Sequence, residues 1–360
     1  METYNHYIRI RRQVLESNAK AVMSVLKVPV IGVVKMDGYG MGVAEAARVW
    51  VEAGASMLAV SEPWEALALR QAGFSQDILL MAPVANRDDF DALAENGIIL
   101  TVSDLENAKF YQQAAAGKML RVHVKVDTGM GRFGVRWTDI AQLKEIYQLS
   151  GFTFEGIFSH FGKSFEEKFN LTKQQLERFL EAVTALQTAG ICVGIRHIAN
   201  SCAALRFPET HLDAVRVGSA LVGALMVKVP VKLETPHTFH AKVVAVSDLK
   251  KGDTCGYASV YKAKKDTRAI VVGIGTDHGF GMTGAPDPYP VKDLIVYLYH
   301  LFLRWKNPPC VSIEGKKMPL IGRIGSQYTS FDATGVDIKP GDWVQVPISL
   351  LNYRGKRIFE

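Results

Sequence analysis

The 360-residue chain predicts an α/β fold: a (β/α)8 TIM-type barrel over residues 1–230, then a mainly β domain over 231–360. Two observations lead there. Eight short runs rich in Val, Ile and Leu recur with helical patterns between them, across roughly the 200–250 residues such a barrel occupies. Beyond about Val229 the helical spacing gives way to strand-like runs parted by Gly, Pro and Asp turns.

The eight runs are 30–35 (VIGVVK), 57–61 (MLAVS), 78–81 (ILLM), 98–102 (IILTV), 121–127 (RVHVKVD), 154–159 (FEGIFS), 195–199 (IRHIA) and 214–217 (AVRV). Most are continuously apolar, as parallel strands buried on both faces require. Helices are expected between them. Residues 62–71 carry Pro63 in the first turn and Gly73 just past the end. Residues 105–116 follow Ser103 and Asp104, both good caps, and stop before Gly117. Residues 139–149 follow Thr138, and 171–189 run from Asn170 to Gly190. An open doubly wound sheet is the competing arrangement.

Pro230 and Pro236 bracket a linker. Strands are expected at 239–246, 269–274, 311–313, 319–324 and 343–348. Lys251-Gly252-Asp253, Glu314-Gly315-Lys316 and Lys339-Pro340-Gly341-Asp342 mark turns between them. One segment breaks the pattern: a Pro/Gly-rich loop at 281–290, then the helix-like, apolar 294–305 (LIVYLYHLFLRW).

Composition removes several function classes. Hydrophobic residues make up 48%, enough for a core, so disorder of the whole chain is excluded. The net charge of +6 is mild and unclustered, which gives nucleic-acid binding no support. Cys192, Cys202, Cys255 and Cys310 are far apart without a CxxC, so neither a disulfide scaffold nor a metal site is expected. A reducing cytoplasm suits such thiols. The first twenty residues lack the apolar stretch of a secretory leader. Residues 294–305 contain His300 and Arg304 and are shorter than the ~20 residues of a membrane span. No membrane partner is expected.

A barrel collects its chemistry at the C-terminal ends of its strands. Lys35 ends the first run, inside VVKMDGYGMG (33–42). A partly desolvated lysine has a lowered pKa and a nucleophilic amine, able to form a Schiff base. Alone, it reads more readily as a solvated rim lysine, and the DGYGMG that follows shifts the balance. The glycines after it let backbone approach a ligand, and Tyr39 offers a hydroxyl. The lysine precedes the glycines, so this is no Walker A loop. Gly218-Ser219 after the eighth run, with Ser201 after the seventh, match the phosphate site of barrels or an ordinary βα turn. Arg216 points inward, and its guanidinium needs an acceptor, such as a ring nitrogen. His160 ends the sixth run; Lys125, Asp127 and Arg132 lie in and after the fifth.

With these residues in place, the chain resembles the alanine racemase family of fold-type III pyridoxal-phosphate (PLP) enzymes. The matching pieces are VVKMDGYGMG (33–42), LAVSEPWEALALRQAG (58–73), HVKVDTGMGRFGV (123–135), IFSHF (157–161) and RHIANSCAALRFP (196–208). DAVRVGSALVG (213–223), GYASVY (256–261), GRIGSQ (322–327) and VPISLLNYR (346–354) complete the set, in order over nearly the whole chain. The resemblance implies an isomerase that racemises a small-molecule amino acid with PLP, as a homodimer with shared active sites. It implies Lys35 as the Schiff-base lysine and one catalytic base. Tyr257 would be the opposite-face base, reaching into the partner's barrel. Arg216 would pair with the pyridine nitrogen, and His160 would lie against the ring. Tyr39, Ser201, Tyr353 and the amides of Gly218 and Ser219 would hold the phosphate. Arg132 would bind the substrate carboxylate region. Lys125 matches a lysine often carbamylated in the family, which positions that arginine. Asp127 receives no chemical role.

Three departures bear on substrate. The family's GYADG is here Gly275-Thr276-Asp277-His278-Gly279, and its Met-Asp after GRxx is Ser326-Gln327. Residues 281–305 replace a shorter connection. The backbone of Ser326 can still serve beside the substrate carboxylate. A missing entrance ring and a lost charge point to serine, or a larger or charged amino acid; alanine with a drifted entrance stands beside that reading. Two other classes remain open. One is a barrel-type PLP decarboxylase, whose ring-nitrogen partner is usually an acid rather than an arginine. The other is a non-catalytic PLP-binding protein.

Overall fold

The first strand, β1 (His6–Ile10), takes no part in the barrel. The computed structural model describes residues 4–165, 169–225, 227–282, 291–348, 353 and 355–360. Gln13–Pro236 forms one unit, and the segment up to Arg12 joins His237–Glu360 in the other. The reason lies in β1 itself. Ile8 and Ile10 are fully buried and Tyr7 and Arg9 are not, so the strand has one apolar face and suits a half-solvated antiparallel sheet.

The barrel unit begins α1 (Arg12–Val25), β2 (Val30–Val33), α2 (Lys35–Tyr39), α3 (Val43–Glu52), β3 (Met57–Val60), α4 (Pro63–Gln71), β4 (Ile78–Leu80) and α5 (Arg87–Glu95). It continues with β5 (Leu100–Val102), α6 (Leu105–Ala115), β6 (Leu120–Asp127), β7 (Val135–Arg136), α7 (Ile140–Gln148) and β8 (Phe152–Phe158). It ends with α8 (Asn170–Thr188), β9 (Ile195–His197), α9 (Ser201–Arg206) and β10 (Val215–Val217). All eight expected strands are present, and α4, α6, α7 and α8 match the expected helices to within a residue. Asp104 caps α6 as expected, accepting from the Asn107 amide at 2.8 Å; α7 uses Asp139 rather than Thr138. Parallel pairing links β10-β2-β3-β4 and β5-β6-β8-β9. The bridges Leu79↔Ile99 and His197↔Ala214 join these arcs into a closed ring, which excludes the open sheet.

Strand parity places alternate residues inside the ring, and the inside has two halves. Ile31, Val33, Met57, Ala59, Leu79, Ile99 and Ala214 form one apolar cluster. Opposite register neighbours on β6, β8 and β9 are His123↔Gly156, Lys125↔Phe158 and Phe158↔His197. His123, Lys125, His197 and Arg216 are all buried. The chemistry is concentrated on one side of the barrel.

The second unit contains β11 (His237–Leu249), β12 (Thr254–Cys255), β13 (Tyr261–Lys262), β14 (Thr267–Val272), α10 (Val291–Lys306), β15 (Cys310–Ile313), β16 (Lys316–Ile321), β17 (Thr329–Asp332), β18 (Trp343–Val346) and β19 (Lys356–Phe359). Strands β14-β17-β16-β15-β18-β11 run in that order, and β11 also pairs with β14, closing six strands on themselves. The long β11 serves three partners: its first half pairs with β1 and β18, its second with β14, whose register shifts between Val243 and Ala245. β1 and β19 extend the sheet beyond β11. Of the loop expected at 281–290, residues 283–290 lie outside the described residues. The helix-like segment is α10, with Leu298, Phe302 and Trp305 among its exposed side chains.

Gly32 sits in β2 against the fully buried Trp50; a Cβ there would lie 2.8 Å from the indole Cγ. Gly32→Ala is expected to cost about 1–3 kcal/mol through overpacking. Urea unfolding followed by circular dichroism checks this, and an unchanged midpoint would contradict the packing described.

Candidate active site

The barrel mouth begins with a left-handed turn. Val34 ends the run of β2, and α2 then carries Met36, Asp37 and Gly38 at φ, ψ of 54, 49; 53, 53; and 63, 37°. Tyr39 follows at φ 55°. The bonds Gly40 N to Met36 O and Gly42 N to Asp37 O, both 2.9 Å, close the turn. Three non-glycine residues in this region cost about 1–2 kcal/mol each. The turn reverses the chain over the mouth, so that Lys35 and Tyr39 line the same cavity.

That cavity, about 330 Å³, is lined by Lys35, Tyr39, His160, Ser201, Arg216, Gly218 and Ser219 among others. Seven residues expected from separate strand ends therefore meet. The Ser201 hydroxyl accepts from the Gly218 amide at 3.0 Å. A Cβ on Gly218 would lie 2.3 Å from the Tyr39 hydroxyl, so only glycine lets the phenol approach. Two hydroxyls and the Gly218 backbone thus cluster at one end of the cavity. Burial, and next the charge of Arg132, lower the Lys35 pKa; Glu65 opposes this and Arg216 adds to it. A lowered amine pKa enlarges the neutral, nucleophilic fraction.

A second cavity, about 220 Å³, shares Lys35, His160 and Arg216 and adds Lys125, Arg132 and Phe158. Lys125 is 5% exposed, and its ammonium position lies 4.4 Å from the Phe158 ring centroid. Burial, then Arg216 and Arg132, push its pKa well down. Asp127 accepts from the amides of Gly129, Met130 and Gly131 at 2.9–3.1 Å, which shapes the loop carrying Arg132. Its role is architectural.

Arg216 is 2% exposed, and among the described residues no carboxylate pairs with it. Burial pulls its pKa down, but five acceptors keep it a cation. They are His197 Nδ1 and Ser159 O at 2.7 Å, and His160 Nδ1, His197 O and Ile198 O at 3.2 Å. A guanidinium only donates, so both imidazoles must accept at Nδ1 and carry their proton on Nε2. His197 Nε2 then donates to His123 Nδ1 at 2.9 Å. His123 Nε2 ends the chain without a partner among the described residues. His123 and His197 were not anticipated from sequence; the alternation in HVKVD places His123, Lys125 and Asp127 on one face and could have exposed the first.

The remaining expected residues belong to the other unit. Tyr257 is 74% exposed in a short turn. The Tyr353 hydroxyl lies 3.1 Å from His6 Nδ1 and 3.4 Å from Lys356 O. Thr276 and Ser326 are exposed on adjacent loops, joined by Thr276 N to Gly325 O and Asp277 N to Ser326 O, each 3.0 Å.

A lysine of lowered basicity, hydroxyl and amide groups suited to a phosphate, and an inward guanidinium between them define a barrel enzyme that holds a phosphorylated aldehyde cofactor. Residues 10–226 match the family described as "Alanine racemase, N-terminal domain", and 237–349 match "Alanine racemase, C-terminal domain". An alanine racemase of Methanococcus maripaludis is 30% identical over 357 residues, covering 96% of this chain and 90% of its own. One from Listeria monocytogenes is 33% identical over 332 residues, covering 90% and 83%. The crystal structure of alanine racemase from Bacillus anthracis with bound L-Ala-P has a TM-score of 0.86 at 25% identity, covering 100% of this chain and 96% of that one. The chain belongs to the alanine racemase family: it is a PLP-dependent racemase, an isomerase.

The imidazole chain sets a pH dependence. Burial first, and Arg216 next, hold His160 and His197 well below 6.5 and His123 at about 3. The unfolded chain therefore binds more protons in acid. The histidine contribution to stability is complete above pH 6.5 and is lost as pH falls towards each folded value. The urea midpoint is expected to drop between about pH 7 and pH 4.5, before carboxylates titrate. Nitrogen-15 NMR of the three rings should show no protonation over that range in the folded protein; a ring titrating near 6.5 would contradict the assigned tautomers.

Proposed function

We propose that the protein interconverts L- and D-alanine by a two-base mechanism, with Lys35 on one face of the substrate and the partner's Tyr257 on the other. What supports this most is the meeting of Lys35, Tyr39, Ser201, Arg216 and Gly218 on one cavity. These residues fit PLP: an amine of lowered basicity, a guanidinium edge, and hydroxyls at a glycine cradle that a Cβ would fill. When bound, PLP supplies an aldehyde and an electron-withdrawing ring that acidifies the substrate Cα. Lys35 would hold it, and Tyr39, Ser201, Tyr353 and the amides of Gly218 and Ser219 would hold its phosphate. Arg216 would face the ring nitrogen as a hydrogen-bond donor, and His160 would lie beside the ring.

The chain's own groups then handle the proton. Lys35 Nζ removes or returns it at Cα on one face, and the Tyr257 hydroxyl does so on the other. Arg132 and the Ser326 backbone would hold the carboxylate, so that inversion needs no turning of the substrate. Lys125 would serve as a carbamate that braces Arg132. A neutral amine is the form that adds carbon dioxide, and Arg216 and Arg132 favour the anion formed. A homodimer follows from the role of Tyr257, whose exposure leaves it available to a second copy. Among the described residues no helix is long and apolar enough to cross a membrane. Free cysteines suit a reducing cytoplasm, the compartment proposed here.

Lys35→Ala and Tyr257→Phe are each expected to lower racemisation by on the order of 10²–10⁴-fold, the weight of a general base. In deuterium oxide, Tyr257→Phe should still exchange the Cα proton of one enantiomer while the other stays unlabelled. Exchange of both enantiomers at the unsubstituted rate would remove Tyr257 from the mechanism. A panel of L-amino acids tests the substrate. Alanine is expected to react fastest; serine or a larger residue outpacing it would assign Thr276, Ser326 and Gln327 a change of specificity.

A further inference from the structure

The buried carboxylate of Glu65 has no part in the chemistry above. It is 0% exposed. Its Oε1 accepts from the Asp37 amide, and its Oε2 from the amides of Ser61 and Glu62, all at 3.0 Å. One side chain thus ties the start of α4 to the turn behind Lys35. That turn is the strained element of the mouth, with Met36, Asp37 and Tyr39 all at positive φ. Side-chain-bearing residues keep such a conformation only where their surroundings fix it. The turn's internal bonds use the carbonyls of Val34, Met36, Asp37 and Gly38, whereas the Asp37 amide goes outward to Glu65. A second carboxylate supports the exit: Asp37 Oδ1 accepts from the Val43 amide at 2.8 Å.

We propose that Glu65 is a positioning residue for the catalytic lysine: it locks the left-handed turn, keeping Lys35 Nζ and the Tyr39 hydroxyl on the same cavity. This rests on the reading of Lys35 as the catalytic amine. A residue that only capped α4 would have no bond to Asp37. Here the same carboxylate makes both, so the mouth turn after β2 and the helix after β3 are fixed as a pair. Its negative charge also lies close enough to oppose the lowering of the Lys35 pKa.

Two variants of the full-length holoenzyme test this. Glu65→Gln keeps the shape but presents an amide NH2 to N–H donors. Glu65→Asp keeps the charge but is one methylene short of spanning Asp37 and Ser61. Each is expected to lower kcat by about tenfold or more, with KM changed by less than about threefold, since a misplaced catalytic group costs rate before affinity. Amide hydrogen exchange in peptides covering residues 35–42 should rise by about tenfold, with residues 105–115 unchanged. Asp104→Ala removes the cap of α6, a residue that lines neither cavity, and is the comparison for cap loss alone. It should lower Tm and leave kcat within about twofold. Unchanged kcat in either Glu65 variant, or lost kcat with unchanged exchange over 35–42, overturns the assignment. Absence of racemisation by the unsubstituted protein would instead overturn the functional reading. The exchange measurement needs no turnover, so it still decides what Glu65 does.

Discussion

A guanidinium sealed inside the barrel without a carboxylate is the constraint around which the site is built. Losing hydration costs an ion several kcal/mol, even after the protein relaxes. The four Nη hydrogens of Arg216, shared among five acceptors at about 1.5–3 kcal/mol per bond for a charged donor, are of the size needed to offset that. A carboxylate would have satisfied the same cation but cancelled its charge. Carbonyls and imidazole nitrogens satisfy it and leave the charge standing. Together with Arg132, that charge makes the two cavities attractive to anions. The protonation of three histidines follows from this one group, because a donor that never accepts forces each neighbour's tautomer in turn.

The barrel can afford this because its interior is divided. The arc from β2 to β5 supplies a conventional apolar filling, while β6, β9 and β10 supply the buried His123, Lys125, His197 and Arg216. The turn after Lys35 adds strain of about 3–6 kcal/mol for three non-glycine residues. That is a sizeable share of the 5–15 kcal/mol by which domains are stable. Such a turn persists only if its neighbours hold it, and it sits where the chemistry needs a lysine and a tyrosine four residues apart on one wall.

Much of this was legible along the chain. Continuous apolar runs followed by Lys35, His160, Ser201 and Gly218 identify strand ends, and strand ends converge in a closed parallel barrel. Pro63, Asp104 and the terminal glycines Gly73, Gly117 and Gly190 placed α4, α6 and the end of α8. Other features were silent. β17 (TSFD) and β19 (KRIF) are four residues each and mix polar with apolar side chains, too short to stand out as runs. His123 and His197 are hidden within runs that read as ordinary apolar strands. Glu65 carries no signal along the chain, and one of its three bonds reaches 28 residues back.

By itself the sequence determined the periodicities: which segments bury both faces, which bury one, and which residues follow each strand. These are local properties, set by side-chain spacing and by the dihedral preferences of Gly, Pro and the capping residues. Only the tertiary structure decided that β1 leaves the barrel for the second sheet. It alone showed that Arg216 is satisfied without an acid, and that a helix-start glutamate grips the lysine's turn. Those outcomes depend on contacts between residues far apart in the chain. Spacing along a chain carries no information about such contacts until ring closure fixes which strands are neighbours.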